Sequence, residues 1–530
     1  MTHPFTLSIT HRYLWLPVKN DASMRRLRLF SEGHEIRAFD IELAETDVDF
    51  WVSCDLGSWL GCDVTLAIDG VDDPRALLAA LTQGDTPVDA DGLYREALRP
   101  QYHFSSQRGW INDPNGLVTY QGTYHLYYQH NPYGWKWGNM HWGHAVSTDL
   151  VHWTELGDAL YPDALGTMFS GSAVVDWADT AGLQTGAEPP IVCMYTAAGE
   201  PFTQCLAASN DGGRTLVKVA DNPVLGHVIG GNRDPKVIWH AASGQWVMAL
   251  FLDGHEYALF SSPDLQTWRE LQRYTHGDDW ECPDFFPLPV DGNPEDVRWL
   301  FWGAEGYYQL GSFDGEAFRP EGAIRRYNWG GNAYAAQTYS DIPVEDGRCI
   351  QVAWLRMTMP GMPFNGCMAF PCELTLRTTP EGIRLFSQPV RELEVLHRRA
   401  HHWEQVGLAP GETSLEGVEG ELFDIRAEIA PGTASEVGLV VLGVPVVYDV
   451  AAGTLLCQGR SAPLPLVDGA IRLQILVDRA SIEVFGNDGA VALPLGVIPP
   501  GADATVSLVA VGEGAVVRSL AVYELASAWV

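Results

Sequence analysis

No stretch of this 530-residue chain is apolar for long enough to span a bilayer. The opening Met1-Thr2-His3-Pro4-Phe5-Thr6-Leu7 lacks the basic-then-apolar pattern of a secretory leader. A cytoplasmic protein is therefore the expectation, with secretion after removal of a leader as the alternative. Basic residues are scarce, 33 Lys and Arg against 67 Asp and Glu, and the formal net charge is -34. Such a field repels nucleic-acid backbones and anionic membrane surfaces, which argues against both as partners. A neutral small-molecule partner is indifferent to it. Cysteine is sparse too: the nine residues are odd in number, without the paired short spacings of a zinc site or the density of a disulfide scaffold. Reduced thiols are the simpler reading.

What is abundant is turn chemistry. With 54 Gly, 33 Pro and a 46% hydrophobic content, the composition is globular and favours turns over long helices, so the chain reads as all-β. Its length predicts several domains. From about 102 to 340, short apolar runs alternate with Gly, Asn, Asp and Pro. Leu117–Tyr120, Gln121-Gly122 and Thr123–Tyr128 read as a hairpin with a two-residue loop. A weak repeat overlies this pattern: Ser147-Thr148-Asp149 with Trp153, Ser209-Asn210-Asp211, Ser262-Pro263-Asp264 with Trp268, and Ser312-Phe313-Asp314 with Phe318. Its spacings of 62, 53 and 50 residues suit propeller blades, although Ser-x-Asp turns also recur by coincidence in β proteins. Residues 1–97 read as a separate small β module and 98–390 as the propeller. Residues 391–401 read as a linker opening on a short helical segment, and 402–530 as a β-sandwich carrying strands such as Arg472–Val477 and Ser481–Phe485.

Three carboxylates stand out. Asp113, in Trp110-Ile111-Asn112-Asp113-Pro114-Asn115-Gly116, sits on a bend defined by Pro114, where Asn112 could donate a hydrogen bond that keeps it ionised. Read alone, the segment is also an ordinary turn. Asp234, in Asn232-Arg233-Asp234-Pro235, has Arg233 beside it to lower its pKa, or forms a surface salt bridge. Glu281, in Trp280-Glu281-Cys282-Pro283, lies among aromatics whose desolvation raises a carboxyl pKa, as a general acid requires, though a partly exposed strand residue reads the same way. Around these motifs cluster Tyr128-Gln129-His130-Asn131, Trp135, Trp137 to His144 and Phe169-Ser170-Gly171-Ser172, the aromatic faces and amide heads that grip neutral sugars. Core packing competes as an explanation for any single one of the 19 Trp. His130, His141 and His144 lack a nearby carboxylate or thiol to complete a zinc site, so no metal or other cofactor is expected.

Taken together, Trp110 to Leu117, the Gln129 segment, Trp137 to Ser147, Phe169 to Ser172, Arg233-Asp234-Pro235, Glu281-Cys282-Pro283 and Tyr334 to Tyr339 resemble glycoside hydrolase family 32, the invertases, inulinases and levanases. The resemblance implies a five-bladed β-propeller followed by a β-sandwich, whose motif is similar to Val477-Asp478-Arg479-Ala480-Ser481-Ile482-Glu483. It implies retaining cleavage of terminal β-fructofuranosides in sucrose, inulin or levan, with Asp113 as nucleophile, Glu281 as acid/base and Asp234 as transition-state stabiliser. Asn112, Gln129, Trp137, Ser170 and Arg233 fall where the family binds fructose, and Trp110 and Phe169 join them as aromatic neighbours. Asp478 and Glu483 read as structural. The alternatives are a fructosyltransferase using the same intermediate and a non-catalytic carbohydrate-binding propeller. The N-terminal module is the departure from the two-domain plan; it could narrow or lengthen the pocket entrance, bind a polymer or support the propeller, the last being the favoured role.

Overall fold

The computed structural model describes residues 5–71, 75–277, 279–500 and 505–529, whose strands form eight sheets. Near the N-terminus, a four-stranded sheet holds Phe5–Ser8, Asp63–Ile68, Arg25–Ser31 and His34–Ile41, and a three-stranded one holds Phe50–Asp55, Tyr13–Val18 and Thr82–Gly84. Phe50–Asp55 alternates buried and half-buried residues, the period-two signature of a strand with one face on a core. That core is Leu14, Leu16, Leu27, Leu29, Val52, Val64 and Leu66.

Antiparallel meanders follow, each running outward from its first strand. Gly109–Tyr120, Thr123–Asn131, His141–Ser147 and Thr154–Leu160 form one, Thr167–Val175 to Val217–Lys218 the next, and Arg233–His240 to Arg269–Thr275 a third. A nine-stranded sheet spans Asp284–Val290 to Gly382–Pro389. The first strands pack against one another in a closed ring, which makes this region a β-propeller. The expected hairpin is present: Tyr120 pairs with Thr123, and Gln121 and Gly122 both take positive φ, 48° and 78°, as a tight two-residue loop requires. So is the physical basis of the repeat. Ser147, Ser209 and Ser262 end the third strand of successive meanders, and their hydroxyls bond Asp149, Asp211 and Asp264 at 3.0, 2.7 and 3.1 Å. Asp314 caps the corresponding turn by accepting from the N–H groups of Glu316 and Ala317. Trp153 and Trp268 close two of these turns by donating to the carbonyls of Leu150 and Leu265.

After the 3₁₀ turn Arg391–Leu396, two six-stranded sheets face each other over a core including Ile425, Leu439, Val446, Ile475, Val484 and Leu508, a β-sandwich. The strand His397–Gly407 pairs along its length with Val516–Leu525. Residues 397–401, expected as linker, are therefore sheet, because their backbone bonds already go to the last strand.

Propeller and sandwich share an apolar cluster, from Tyr102, Ile111 and Ile350 to Leu393, Leu476 and Phe485. They are also pinned by one buried carboxylate. Asp478, on Ile471–Asp478, accepts the N–H groups of Gln101 and Tyr102 at 2.8 and 3.0 Å and His103 Nδ1 at 2.8 Å. Although burial pulls the His103 imidazole down, Asp478 and Glu483 outweigh it and raise its pKa to about 9. Hydrogen bonds from His103 and the backbone hold Asp478 below its ordinary value against the cost of burial.

His103 is raised above its usual 6.5, so its pairing stabilises the fold fully below that pH and is lost as pH rises through about 9. We expect melting temperature to fall across that window. Asp478→Ala should lower stability by about 3–5 kcal/mol at pH 6, the cost of breaking a buried pair, and should flatten the pH dependence. An unchanged profile in calorimetry would refute this assignment.

Candidate active site

At one mouth of the propeller, breaks in strand register reshape the inner strands. The pairing of Gly109–Tyr120 slips between Ile111 and Pro114, that of Thr167–Val175 between Phe169 and Gly171, that of Arg233–His240 between Arg233 and Lys236, and that of Ala333–Thr338 between Tyr334 and Gln337. A bulge re-aims the side chains of the extra residues, here Asp113, Ser170 and Asp234. Asp234 has φ 63°, and Glu281 and Cys282, just before Asp284–Val290, have 53° and 38°. Left-handed backbone at a bulky residue carries strain, of order 1–3 kcal/mol each, that the surrounding fold must hold in place.

These side chains converge on a cavity of about 270 Å³ lined by Asn112, Asp113, Gln129, Trp137, Phe169, Ser170, Arg233, Asp234, Glu281, Tyr334 and Trp354. Nine of the ten residues singled out from the sequence are among them. The tenth, Trp110, does not line the cavity. Its indole donates to Asn112 Oδ1 at 3.0 Å and packs edge-on to Trp354, so it holds a lining residue from behind. Gln129 is oriented by its bond to the Met168 carbonyl at 2.8 Å.

The carboxylates are tightly tied. Asp113 accepts from Ser170 Oγ at 2.6 Å. Asp234 Oδ2 accepts the Cys282 N–H at 3.0 Å, and its own N–H donates to Thr196 Oγ1 at 3.0 Å. Glu281 is gripped on both oxygens, by Arg233 Nη2 at 2.5 Å and by the Tyr334 hydroxyl. The Cys282 thiol, pushed well up by burial and therefore protonated, lies between the other two, 3.5 Å from Asp113 and 3.4 Å from Asp234.

Arg233 does not hold Asp234 low, as the sequence suggested. Burial pushes the Asp234 carboxyl up to about 7; Arg233 opposes this, while Glu281 and Asp113 add to it. The guanidinium is in the wrong place to win, its Nε standing 3.8 Å from Asp234 while Nη2 bonds Glu281. Asp113 is raised as well, mainly by burial, against hydrogen bonds from Ser170 and Asn112.

Tyr334, Trp354 and Cys282 were not singled out as site residues in the sequence. Tyr334 and Cys282 sit inside conspicuous motifs, but Trp354 lies on Cys349–Leu355, a second strand whose sequence carries no signal of the site. The histidines at 130, 141 and 144 are engaged in structure: His130 bonds Asp158 at 2.6 Å, His144 faces His125 at 3.1 Å and His141 bonds the Asn139 carbonyl.

Residues 103–389 match the glycosyl hydrolases family 32 N-terminal domain, and residues 392–524 match that family's C-terminal domain. The chain belongs to glycoside hydrolase family 32. It is 39% identical over 485 residues to a levanase of Bacillus subtilis, covering 82% of this chain and 72% of that protein. It is 29% identical over 523 residues to an extracellular exo-inulinase of Aspergillus ficuum, covering 82% and 96%. Among solved structures, an exo-inulinase from Aspergillus awamori superposes with a TM-score of 0.76 at 28% identity, over 82% of this chain and 100% of that one. A fructofuranosidase from Schwanniomyces occidentalis complexed with fructose gives 0.74 at 26%, over 82% and 99%. This family 32 protein is thus a glycoside hydrolase. The N-terminal sheets, formed before residue 103, lie outside both matched regions.

The raised pKa has a consequence for stability. Asp234 ionises at about 7 in the fold against 3.8 ordinarily, so its ionisation costs folding free energy as pH rises from about 4 to 7 and none below that window. Asp234→Asn, neutral throughout, should melt several degrees above wild type at pH 7.5 and level with it at pH 4, by scanning calorimetry. A lower melting temperature at pH 7.5 would contradict the crowding of these acids.

Proposed function

We propose that the chain hydrolyses terminal non-reducing β-D-fructofuranosides, of sucrose or of inulin- or levan-type fructans, with retention of configuration. The observation that carries this is the convergence of Asp113, Asp234 and Glu281 on one cavity of about 270 Å³. That is below the ~300–1,000 Å³ typical of drug-sized ligands, room for one sugar unit rather than a chain, which favours exo-action. The levanase, exo-inulinase and fructose-bound fructofuranosidase among its relatives support the substrate class.

In this reading Asp113 attacks the anomeric carbon while Glu281 protonates the leaving oxygen, giving a covalent fructosyl enzyme. Glu281, now a base, takes a proton from water, whose oxygen displaces Asp113 from the same carbon. Ser170 and Asn112 orient the nucleophile, and Tyr334 and Arg233 fix the two oxygens of Glu281. Asp234 bonds sugar hydroxyls more strongly as positive charge develops, contributing to turnover more than to binding. We take the propeller to have five blades, the nine-stranded sheet supplying two. The separate runs Asp284–Val290 to Phe318–Arg326 and Ala333–Thr338 to Gly382–Pro389 support that count. We also take residues before 98 as a module of their own and the sandwich as the unit after the Arg391–Leu396 turn.

Chromatography of products from sucrose, inulin and levan tests the reading. Wild type should release fructose steadily, while Asp113→Asn and Glu281→Gln should lose about 10²–10⁴-fold in kcat or more. Asp234→Asn should cut kcat with little change in KM. Equal release by Asp113→Asn would refute the nucleophile, and longer oligomers from concentrated sucrose would make the enzyme a transferase.

A further inference from the structure

Trp137 stands at the rim of the cavity, 58% exposed, edge-on to Phe169 at 5.9 Å. It belongs to the loop 132–140 between Thr123–Asn131 and His141–Ser147, which has no strand of its own. Its place is fixed from outside the propeller. Tyr133 stacks on Phe39 of the N-terminal module at 3.6 Å, with both rings buried. Trp135 packs against the same module's core. Lys136 bonds Asp21 at 2.7 Å and the buried Glu42 at 2.8 Å. Asn139 makes a reciprocal pair with the backbone of Asp40, accepting its N–H at 2.8 Å and donating to its carbonyl at 2.7 Å. The second side is internal: Asn131 accepts from Asn139 at 3.0 Å and donates to the Lys136 carbonyl at 2.7 Å. Residues 133, 135, 136 and 139 are therefore all anchored, and 137 is carried between them.

We propose that the N-terminal module is a positioning element for Trp137, and through it sets how tightly the enzyme holds the part of the saccharide at the pocket rim. This rests on the fructoside reading above. The module also touches the propeller elsewhere, as where Arg37 packs over Tyr161 at 4.0 Å, but mere support does not call for four successive anchors on the loop that bears a rim residue. A flexible nine-residue loop with an indole at its centre would pay conformational entropy on each binding event. A loop already tied down has met that cost in folding. The module therefore acts on substrate capture, with no group of its own at the reacting carbon.

The test uses full-length protein and variants placed in the module, away from the cavity: Phe39→Ala, and the Lys136-binding pair Asp21→Asn with Glu42→Gln, whose replacements are isosteric. Each should raise KM for sucrose and inulin by about tenfold while kcat stays within about twofold, the pattern of lost binding rather than lost chemistry. Trp137→Ala should do the same, and adding either module change to it should cost little more, because coupled residues are non-additive. An unchanged KM in the Asp21→Asn, Glu42→Gln pair, which leaves the module's apolar core untouched should Phe39→Ala unfold, overturns the inference. So does a rise in KM that persists undiminished in the Trp137→Ala background. Fructose release by wild type in the same assay separates the two levels: if it is absent, the fructoside reading fails first and this one with it.

Discussion

Three carboxylates around one guanidinium are the constraint on which the site depends. Asp113, Asp234 and Glu281 line the same small cavity, and Arg233 is the only cation among its lining residues. One positive charge cannot neutralise three acids, and the geometry decides who gets it: Nη2 goes to Glu281, leaving Asp234 the more distant Nε. Burial raises the pKa values of Asp113 and Asp234, and the neighbouring acids add to it. Like charges at close quarters and burial act in the same direction here, and only the protein's tightness keeps the groups together. Rigid support is therefore a requirement of the arrangement.

The fold meets that requirement with strands rather than loops. Bulged inner strands and the approach to a fourth bring the three carboxylates, up to 168 positions apart from Asp113 to Glu281, onto one cavity. Outside the ring, the aspartate turns that follow the third strands fix the local geometry of each blade's outer turn. The sandwich contributes Asp478, which fastens the backbone of Gln101 to His103 a few residues before the first inner strand. None of these contacts touches the cavity. They stiffen the frame in which small displacements would change how the acids share Arg233.

Much of this was legible in the sequence because strand patterning and turn chemistry are local. The Gln121-Gly122 loop, the Ser-x-Asp turns and the strands of the sandwich each carry their cause within a few residues. The motifs around Asp113, Asp234 and Glu281 were legible because Pro follows both aspartates and aromatic residues flank the glutamate. What was not legible depends on distance in space. Trp354 lies at the site only because its strand pairs with Ala333–Thr338. Trp110 looked like a sugar-binding face, yet its indole nitrogen found Asn112. The pKa of Asp234 was misjudged for the same reason: the neighbouring arginine in sequence is visible, whereas the competing glutamate 47 positions on is not. Residues 397–401 passed for linker because nothing local reveals that the last strand, more than a hundred residues away, pairs with them.

The acidity of the whole chain and the acidity of the site are separate matters. A net charge of -34 suggests a field that assists any reaction developing positive charge, as the proposed one does. Screening limits that help, since exposed charges farther than about 8–10 Å are largely masked at physiological ionic strength. Within the cavity the opposite holds: Asp113, half-buried, and Asp234, buried, are held against Ser170 and Cys282. A carboxylate there interacts with developing charge at an effective dielectric nearer 20 than 80, about 4 kcal/mol at 4 Å instead of about 1. In the proposed reaction the positive charge of the transition state would relieve the crowding of the acids, so the strain of holding them together would be returned where it lowers the barrier. A neutral substrate in its ground state relieves less of it, through hydroxyl hydrogen bonds alone, so under the proposed reaction the arrangement serves turnover more than tight binding.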